Sequence, residues 1–244
     1  MVSEKPDLPR FTKRLFKLLD RVEYRRVESS EDLEAVARVR FKAFEQIGLA
    51  PKSGTTIIDP EDFAPNAHVI GIYYEERLVS TIRIHHVTAG EPMGLATECF
   101  PDVMGDLLAA GRTFIDPVRL AADPEVLREL PGIPYLTLRI ATMASDFFEA
   151  DYCLSVVKPN HKAFYSRVFN SKPLVEPRYL ERFSSMVELY ASEVNFERSS
   201  IYSRFPFFTA QPFERRMMFA PRAELGLTPL TILPTARFVQ PRLG

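Results

Sequence analysis

The chain has 244 residues, 46% of them hydrophobic, enough for one buried core or one core with an appendage. No apolar run approaches the ~20 residues that cross a bilayer, and a formal net charge of −1 excludes nucleic-acid binding by bulk electrostatics. The opening MVSEKPDLPRF has no apolar stretch followed by a small-residue cleavage site, so a cytoplasmic location is expected, and Cys99 and Cys153, without CxxC spacing, read as buried thiols.

Charge is spread unevenly. Residues 1–28 carry eight Lys/Arg against five Asp/Glu and residues 190–244 carry seven against four, leaving −7 for the centre. Basic ends suit solvent or an acidic partner such as a protein, a phosphate group or a membrane surface. Residues 9–22, PRFTKRLFKLLDRV, set Phe11, Leu15, Leu18, Leu19 and Val22 at helical spacing opposite Arg10, Lys13, Arg14, Lys17 and Arg21. The spacing predicts an amphipathic helix that packs on its own domain, with peripheral membrane contact left open. A short apolar–polar segment at 23–28 leads into SSEDLEAVARVRFKAFEQIG, where Ser29 or Ser30 caps a helix and Gly48 ends it. Its apolar stripe runs through Leu33, Val36, Arg40, Phe44 and Ile47, so a guanidinium falls among apolar side chains. Buried, it needs an answering carboxylate, and Asp59 and Asp62 of IIDPEDF, in the loop-like 49–66, are the candidates.

Residues 68–87 form the clearest hairpin, HVIGIYY and LVSTIRIHHV around a charged turn at 75–77. Arg83 shares a face with Val79, Thr81, His85 and Val87, which predicts a cavity or a water-filled cleft beside it. His85 and His86 point to opposite faces by strand alternation, so they do not join in one metal site, and no metal is expected. TFIDPVRL, 113–120, is the next strand, yet it carries Asp116, Pro117 and Arg119. Proline removes a ladder donor and belongs at an edge or a bulge. A bulge here would bring both charges toward one side and open a slot in the sheet. A Pro-rich loop, AADPEVLRELPGIP, then precedes a helix over about 135–150; YCLSVVK reads as a strand, PNHKAFYSRVFN as a short helix and MVELYA as a last strand. From about 192 the pattern weakens into an aromatic, proline-containing extension. The order implies an α/β (α+β) sheet covered by helices.

Taken together, R-x-x-x-F at Arg40 and Phe44, D-x-x-D at Asp59 and Asp62, Arg83 in the hairpin and D-x-x-R at Asp116 and Arg119 resemble the signature of the acyl-homoserine lactone synthases and the related N-acyl amino acid synthases. The resemblance covers roughly residues 24–190. It implies the Gcn5-related N-acyltransferase (GNAT) fold, a central mixed sheet with a splayed strand pair and helices on both faces. Residues 1–22 are then an N-terminal helix, 23–191 the acyltransferase domain, and 192–244 an extension on the domain or a second subunit. The sequence departs from the family pattern in three ways. Asp116 stands where Glu is usual, there is no Trp, and between Leu120 and Tyr135 only Gly132 remains of the Q/R-x-x-G-x-G/A phosphate loop of coenzyme-A-dependent members. Without glycines that let backbone amides approach a pyrophosphate, acyl carrier protein is the better acyl donor than acyl-CoA.

The resemblance implies transfer of a fatty acyl group to the amine of an amino acid or similar small acceptor, with no tightly bound cofactor. Asp116 is the expected base, Tyr165 of NHKAFYSRVFN stands where relatives place a tyrosine near the leaving thiol, and Arg83 and Arg119 grip the acceptor's carboxylate or pair with Asp116, Asp59 and Asp62. The basic ends suit docking of the acidic carrier. The rivals are a lactone synthase using S-adenosylmethionine and a non-catalytic acyl-binding module.

Overall fold

A computed structural model describes residues 8–221 and the backbone of Thr231–Ile232. Residues 1–7 of the first segment, and most of the basic tail beyond 221, lie outside the described residues. No helix among the described residues is long and apolar enough to cross a membrane.

The first helix, α1 (Arg10–Leu19), buries Leu15, Leu18 and Leu19, and the segment after it is strand β1 (Val22–Arg26). In α2 (Ser30–Gln46) the Ser29 hydroxyl accepts the Asp32 N–H at 3.1 Å, and Glu31 and Asp32 in the first turn complement the helix dipole. A 3-10 turn at Pro60–Phe63 precedes the hairpin of β2 (Ala67–Tyr74) and β3 (Arg77–Val87). Residues 88–112, unassigned from sequence, hold α3 (Leu95–Cys99) and α4 (Pro101–Ala109) before β4 (Phe114–Ala122). The expected Pro-rich loop after β4 contains α5 (Pro124–Glu129), because Asp123 accepts the Glu125 N–H at 2.9 Å and Pro124 fits the first turn. Next come α6 (Ile133–Phe147), β5 (Tyr152–Val157), α7 (Lys162–Phe169), β6 (Lys172–Pro173), β7 (Arg178–Leu180) and β8 (Ser185–Glu193). The residues after β8 are ordered elements: α8 (Val194–Arg204), a 3-10 turn at Pro206–Phe208, α9 (Pro212–Phe219) and β9 (Thr231–Ile232).

The strands lie in the order β6-β8-β5-β4-β3-β2-β1-β9, with β7 paired to β8 off this path. Of these pairings, β4 with β5 is parallel, and it consists of Phe114↔Tyr152 and Ile115↔Cys153. Beyond Ile115 the two strands part, which is the splayed pair expected from the sequence. The large core holds Ile82 and Ile84 of β3 with Leu138 and Ile140 of α6, while Arg83 between them points the other way and bonds Asp62, the partner of Arg40 on α2, so α2 and α6 cover opposite faces. A smaller core lies under α3 and α4 around Phe100, Met104 and Phe114.

Helix α1 and the segment after β8 both enter the large core: Leu15 and Leu18 of α1 pack there with Phe207, Phe208 and Met218. Arg139 of α6 is buried and fastens the C-terminal segment, donating to Phe207 O at 3.0 Å, Thr209 O at 2.9 Å and Glu214 at 3.0 Å. Gly132 is the point of closest approach for α1, since a Cβ there would lie 2.5 Å from a Leu15 methyl. Gly132→Ala is therefore expected to lower stability by about 1 kcal/mol, the low end of overpacking because that methyl can rotate away, as read by urea unfolding.

Candidate active site

The site is built around an irregularity in β4. Ladder pairs Arg83↔Val118 and Thr81↔Ala121 leave two residues of β4 opposite one of β3, so the bulge falls at Arg119–Leu120, with Arg119 at φ 53. Sequence reasoning linked the bulge to Pro117, but Pro117 pairs in register with Ile84. The ladder to β5 has already stopped at Ile115, so a missing N–H two residues later leaves no sheet bond unmade.

The bulge re-aims Arg119 to the α2 face, where it completes a chain of charges. Arg40 binds Asp62 through two bonds of 2.7 and 2.9 Å. Arg83 donates to Asp62 at 2.9 Å and to Asp59 at 3.2 Å. Arg119 grips Asp59 at 2.6 and 2.7 Å and lies 5.6 Å over the ring of Phe44. The Asp62 carboxylate also accepts the Asp59 N–H at 2.8 Å, which folds the 60–63 turn onto α2. Burial pulls the Asp62 carboxyl up, but the Arg40 hydrogen bonds and charge, the Asp59 N–H and Arg83 outweigh it and hold it below its ordinary value. Arg40 is fully buried and Arg83 nearly so, which corrects the expectation of a cavity beside Arg83. The cluster has three guanidinium groups to two carboxylates, and Arg119, 32% exposed, is its outlet to solvent.

Asp116 is buried and stands apart from this chain of pairs. It lies across from His85 in the ladder, and one carboxylate oxygen accepts the Ala96 N–H at 2.9 Å. Gly94 permits that approach, since a Cβ there would come within 2.9 Å of the same oxygen. The other oxygen, Oδ1, has no hydrogen-bond partner among the described residues. Burial pushes the carboxyl up to about 6, against the pull of the Ala96 and Leu95 amides and Arg83.

On the opposite face the parting of β4 from β5 opens a cleft. Pro117 and Leu120 form its β4 wall, Cys153 and Ser155 its β5 wall, and Tyr165 of α7 reaches it. Burial raises the Tyr165 phenol, with Cys153 adding to the shift, and burial carries the Cys153 thiol up to about 12. Thr142 and Ser145 of α6 and Arg198 and Tyr202 of α8 also line the cleft, so α8 covers part of it. Asp146 receives the Tyr202 hydroxyl and Arg215 at 2.8 Å each, and pairs with Arg198 at 2.9 Å. Of these residues Thr142, Ser145 and Asp146 were not singled out from sequence, although they form a polar stripe at helical spacing in a mostly apolar helix.

Where a phosphate loop would follow β4, the backbone amides are spoken for. At the start of α6, Ile133 N donates to Leu130 O, Tyr135 N and Leu136 N to Gly132 O, and Pro134 has no N–H. At the start of α5, Asp123 takes the Glu125 and Val126 amides.

A family model described as N-acyl amino acid synthase FeeM matches residues 35–205. No curated protein matches the chain in sequence. Among solved structures, FeeM, an N-acyl amino acid synthase from uncultured soil microbes, aligns with a TM-score of 0.61 at 18% identity, over 75% of this chain and 97% of that one. TofI, solved in a ternary complex with an inhibitor and MTA, aligns with a TM-score of 0.56 at 13% identity, over 75% and 96% of the two chains. BjaI, a CoA-dependent acyl-homoserine lactone synthase solved with SAM and isopentyl-CoA, gives 0.50 at 15% identity, over 72% and 83%. The shared architecture is GNAT-like.

Proposed function

We propose, from the premise that this chain belongs to the N-acyl amino acid synthase FeeM family and is an acyltransferase, that it moves a fatty acyl group from acyl carrier protein to the amine of an amino acid. One observation carries this reading: the splayed end of β4 has an apolar cleft on one face and a guanidinium cluster with a surplus cation on the other. An acyl thioester in the cleft and an acceptor carboxylate at Arg119 would meet at residues 116–120.

The acceptor amine must be neutral to attack. An α-ammonium of pKa ~8 gives its proton more readily to a carboxylate near 6 than to one near 4, which favours Asp116, whose Oδ1 has no partner among the described residues. A bulge leaves ladder groups unpaired, so in this reading N–H groups of the Arg119–Leu120 bulge face the thioester carbonyl, and one such donor is worth about 3–4 kcal/mol to a developing oxyanion. The thiolate then leaves as the amide forms. A phenol raised by burial is a weaker acid than a thiol of pKa ~8.5, so Tyr165 serves that thiolate as a hydrogen-bond donor; the surplus proton on the nitrogen of the tetrahedral intermediate passes to the thiolate as the C–S bond breaks, and Asp116 returns its own proton to solvent. The occupied amides of α5 and α6 favour a carrier-bound donor over coenzyme A.

Mass spectrometry of lipid extracts from cells expressing the chain, and from cells expressing Ala141→Leu, tests the reading. N-acyl amino acids are expected in the first. The larger side chain in the cleft wall should cut turnover of the longest accepted chain by about tenfold or more, so the second yields shorter ones. Acyl lactones in place of N-acyl amino acids would assign S-adenosylmethionine as acceptor. Two extracts with no new acyl product, repeated with purified acyl carrier protein to the same result, would sink acyl transfer.

A further inference from the structure

A second concave surface lies at the N-terminal end of α6, between α1 and residues 130–132. It is an open groove, with Leu15, Leu18 and Leu130 as an apolar lining and Arg14, Lys17 and Arg21 as a cationic rim. Arg14 and Lys17 are exposed and pair with no carboxylate of the described residues, while Arg21 pairs with Glu75 and lies 4.7 Å over the ring of Tyr74. Phe11, 42% exposed, stands at the same groove. A stable surface does not concentrate cations around exposed apolar area without gain, because like charges repel and apolar area is left in water. Helix α1 lies outside the residues matched by the family model, so one wall of the groove is a feature of this chain beyond the matched domain, while Tyr74 and residues 130–132 of the other wall lie within it.

Two facts connect the groove to the donor side. Gly132 lines the groove and Leu138 lines the cleft. Six residues of helix rise separate them by about 9 Å along α6. The amides that would hold a donor's phosphate directly are occupied, so the donor must be recognised elsewhere.

We infer that the α1 groove docks the acyl donor's carrier protein, an acidic protein presenting an amphipathic helix whose carboxylates meet Arg14, Lys17 and Arg21 and whose apolar side chains meet Phe11 and Leu130. The inference rests on the carrier-dependent reading of the site. A helix suits a concave groove with a charged rim, whereas a bilayer presents a flat face.

Binding of a fluorescently labelled holo-acyl carrier protein, followed by anisotropy, tests this without requiring turnover. Arg14→Glu/Lys17→Glu, at two exposed positions, is expected to weaken binding by about tenfold or more, and wild-type binding should weaken with added salt. The charge-reversing control Arg38→Glu on the exposed side of α2 should bind as wild type. Equal affinity of the double variant and wild type, or no carrier binding by wild type, overturns the inference. So does unchanged carrier affinity with loss of binding to phosphatidylglycerol vesicles, which would give the groove to a lipid surface. Turnover of an acyl-pantetheine donor, which has no protein part, is the separate test of the chemistry. Failure of acyl-pantetheine and acyl carrier protein alike to give product, beside charge-sensitive carrier binding, would sink acyl transfer and leave the docking surface standing.

Discussion

Asp62→Ala is expected to be among the most destabilising single substitutions in the chain. Its carboxylate is fully buried and serves two buried cations, Arg40 at 2.7 and 2.9 Å and Arg83 at 2.9 Å. Removing one partner of a buried pair costs about 3–5 kcal/mol because a charge is left without an answer. Here Arg40 is left with no carboxylate, and Arg83 keeps only its 3.2 Å bond to Asp59, which Arg119 already grips. Against a total stability of about 5–15 kcal/mol, the variant should be largely unfolded or melt about 10 °C or more below wild type. Arg40→Met/Asp62→Leu should recover part of that loss, since replacing a buried pair by apolar side chains is often close to neutral, and Arg83 retains Asp59. A melting temperature of Asp62→Ala within about 2 °C of wild type would mean that these charges are solvated in solution. The pH dependence has a definite sign. The Asp62 carboxyl is held below its unfolded value of 3.8, so its contribution is complete above that value and is lost as pH falls through the folded one.

This cluster was the most legible part of the site. Arg40 announced itself by breaking an apolar stripe, and a buried guanidinium needs a carboxylate; the D-x-x-D turn was near enough in sequence to supply one. Arg83 was legible as an oddity, but its environment was misjudged, because strand alternation gives a face and not what packs on that face. The bulge was placed two residues early for a related reason. Proline is a strong local signal, whereas a left-handed Arg119 has no propensity to mark it and is held by its two bonds to Asp59, sixty residues away. The hairpin turn has the same character. Glu75 and Glu76 both adopt positive φ without the Asn or Gly that usually signals it, so only the flanking alternation revealed the hairpin. In α5 the signal was present and misread: an Asp before Pro is a helix start, and the prolines of that stretch drew it toward a loop. The slot beside β4 was legible from the break in its strand pattern, but the rest of the cleft was not, since its other walls come from α6, α7 and α8 and no spacing along the chain joins them to it.

Asp116→Asn is expected to abolish most turnover while making the protein more stable at neutral pH, and that opposite movement separates a catalytic carboxylate from a structural one. The bond from the Ala96 amide requires only an acceptor oxygen, which asparagine retains, so the start of α3 keeps its partner. What asparagine removes is ionisation. A carboxyl raised from 3.8 to about 6 in the folded chain is one whose charge the fold disfavours. A folded pKa above the unfolded one means that the folded state binds the proton more tightly, so stability falls as pH rises from about 4 to about 6 and stays lower above. Two units correspond to roughly 3 kcal/mol at full burial. The variant should therefore exceed wild type in stability at pH 8, with the difference shrinking below pH 4. Over the same range wild-type kcat/KM should rise with pH through a limb near 6, where Asp116 becomes able to accept the amine's proton, and the residual activity of the variant should lack that limb. Loss of a general base lowers the rate by about 10²–10⁴. Retained turnover with the limb intact would move the base elsewhere and leave Asp116 as the partner of the α3 amides. Loss of stability on substitution would mean that its negative charge holds the fold, contrary to its raised pKa.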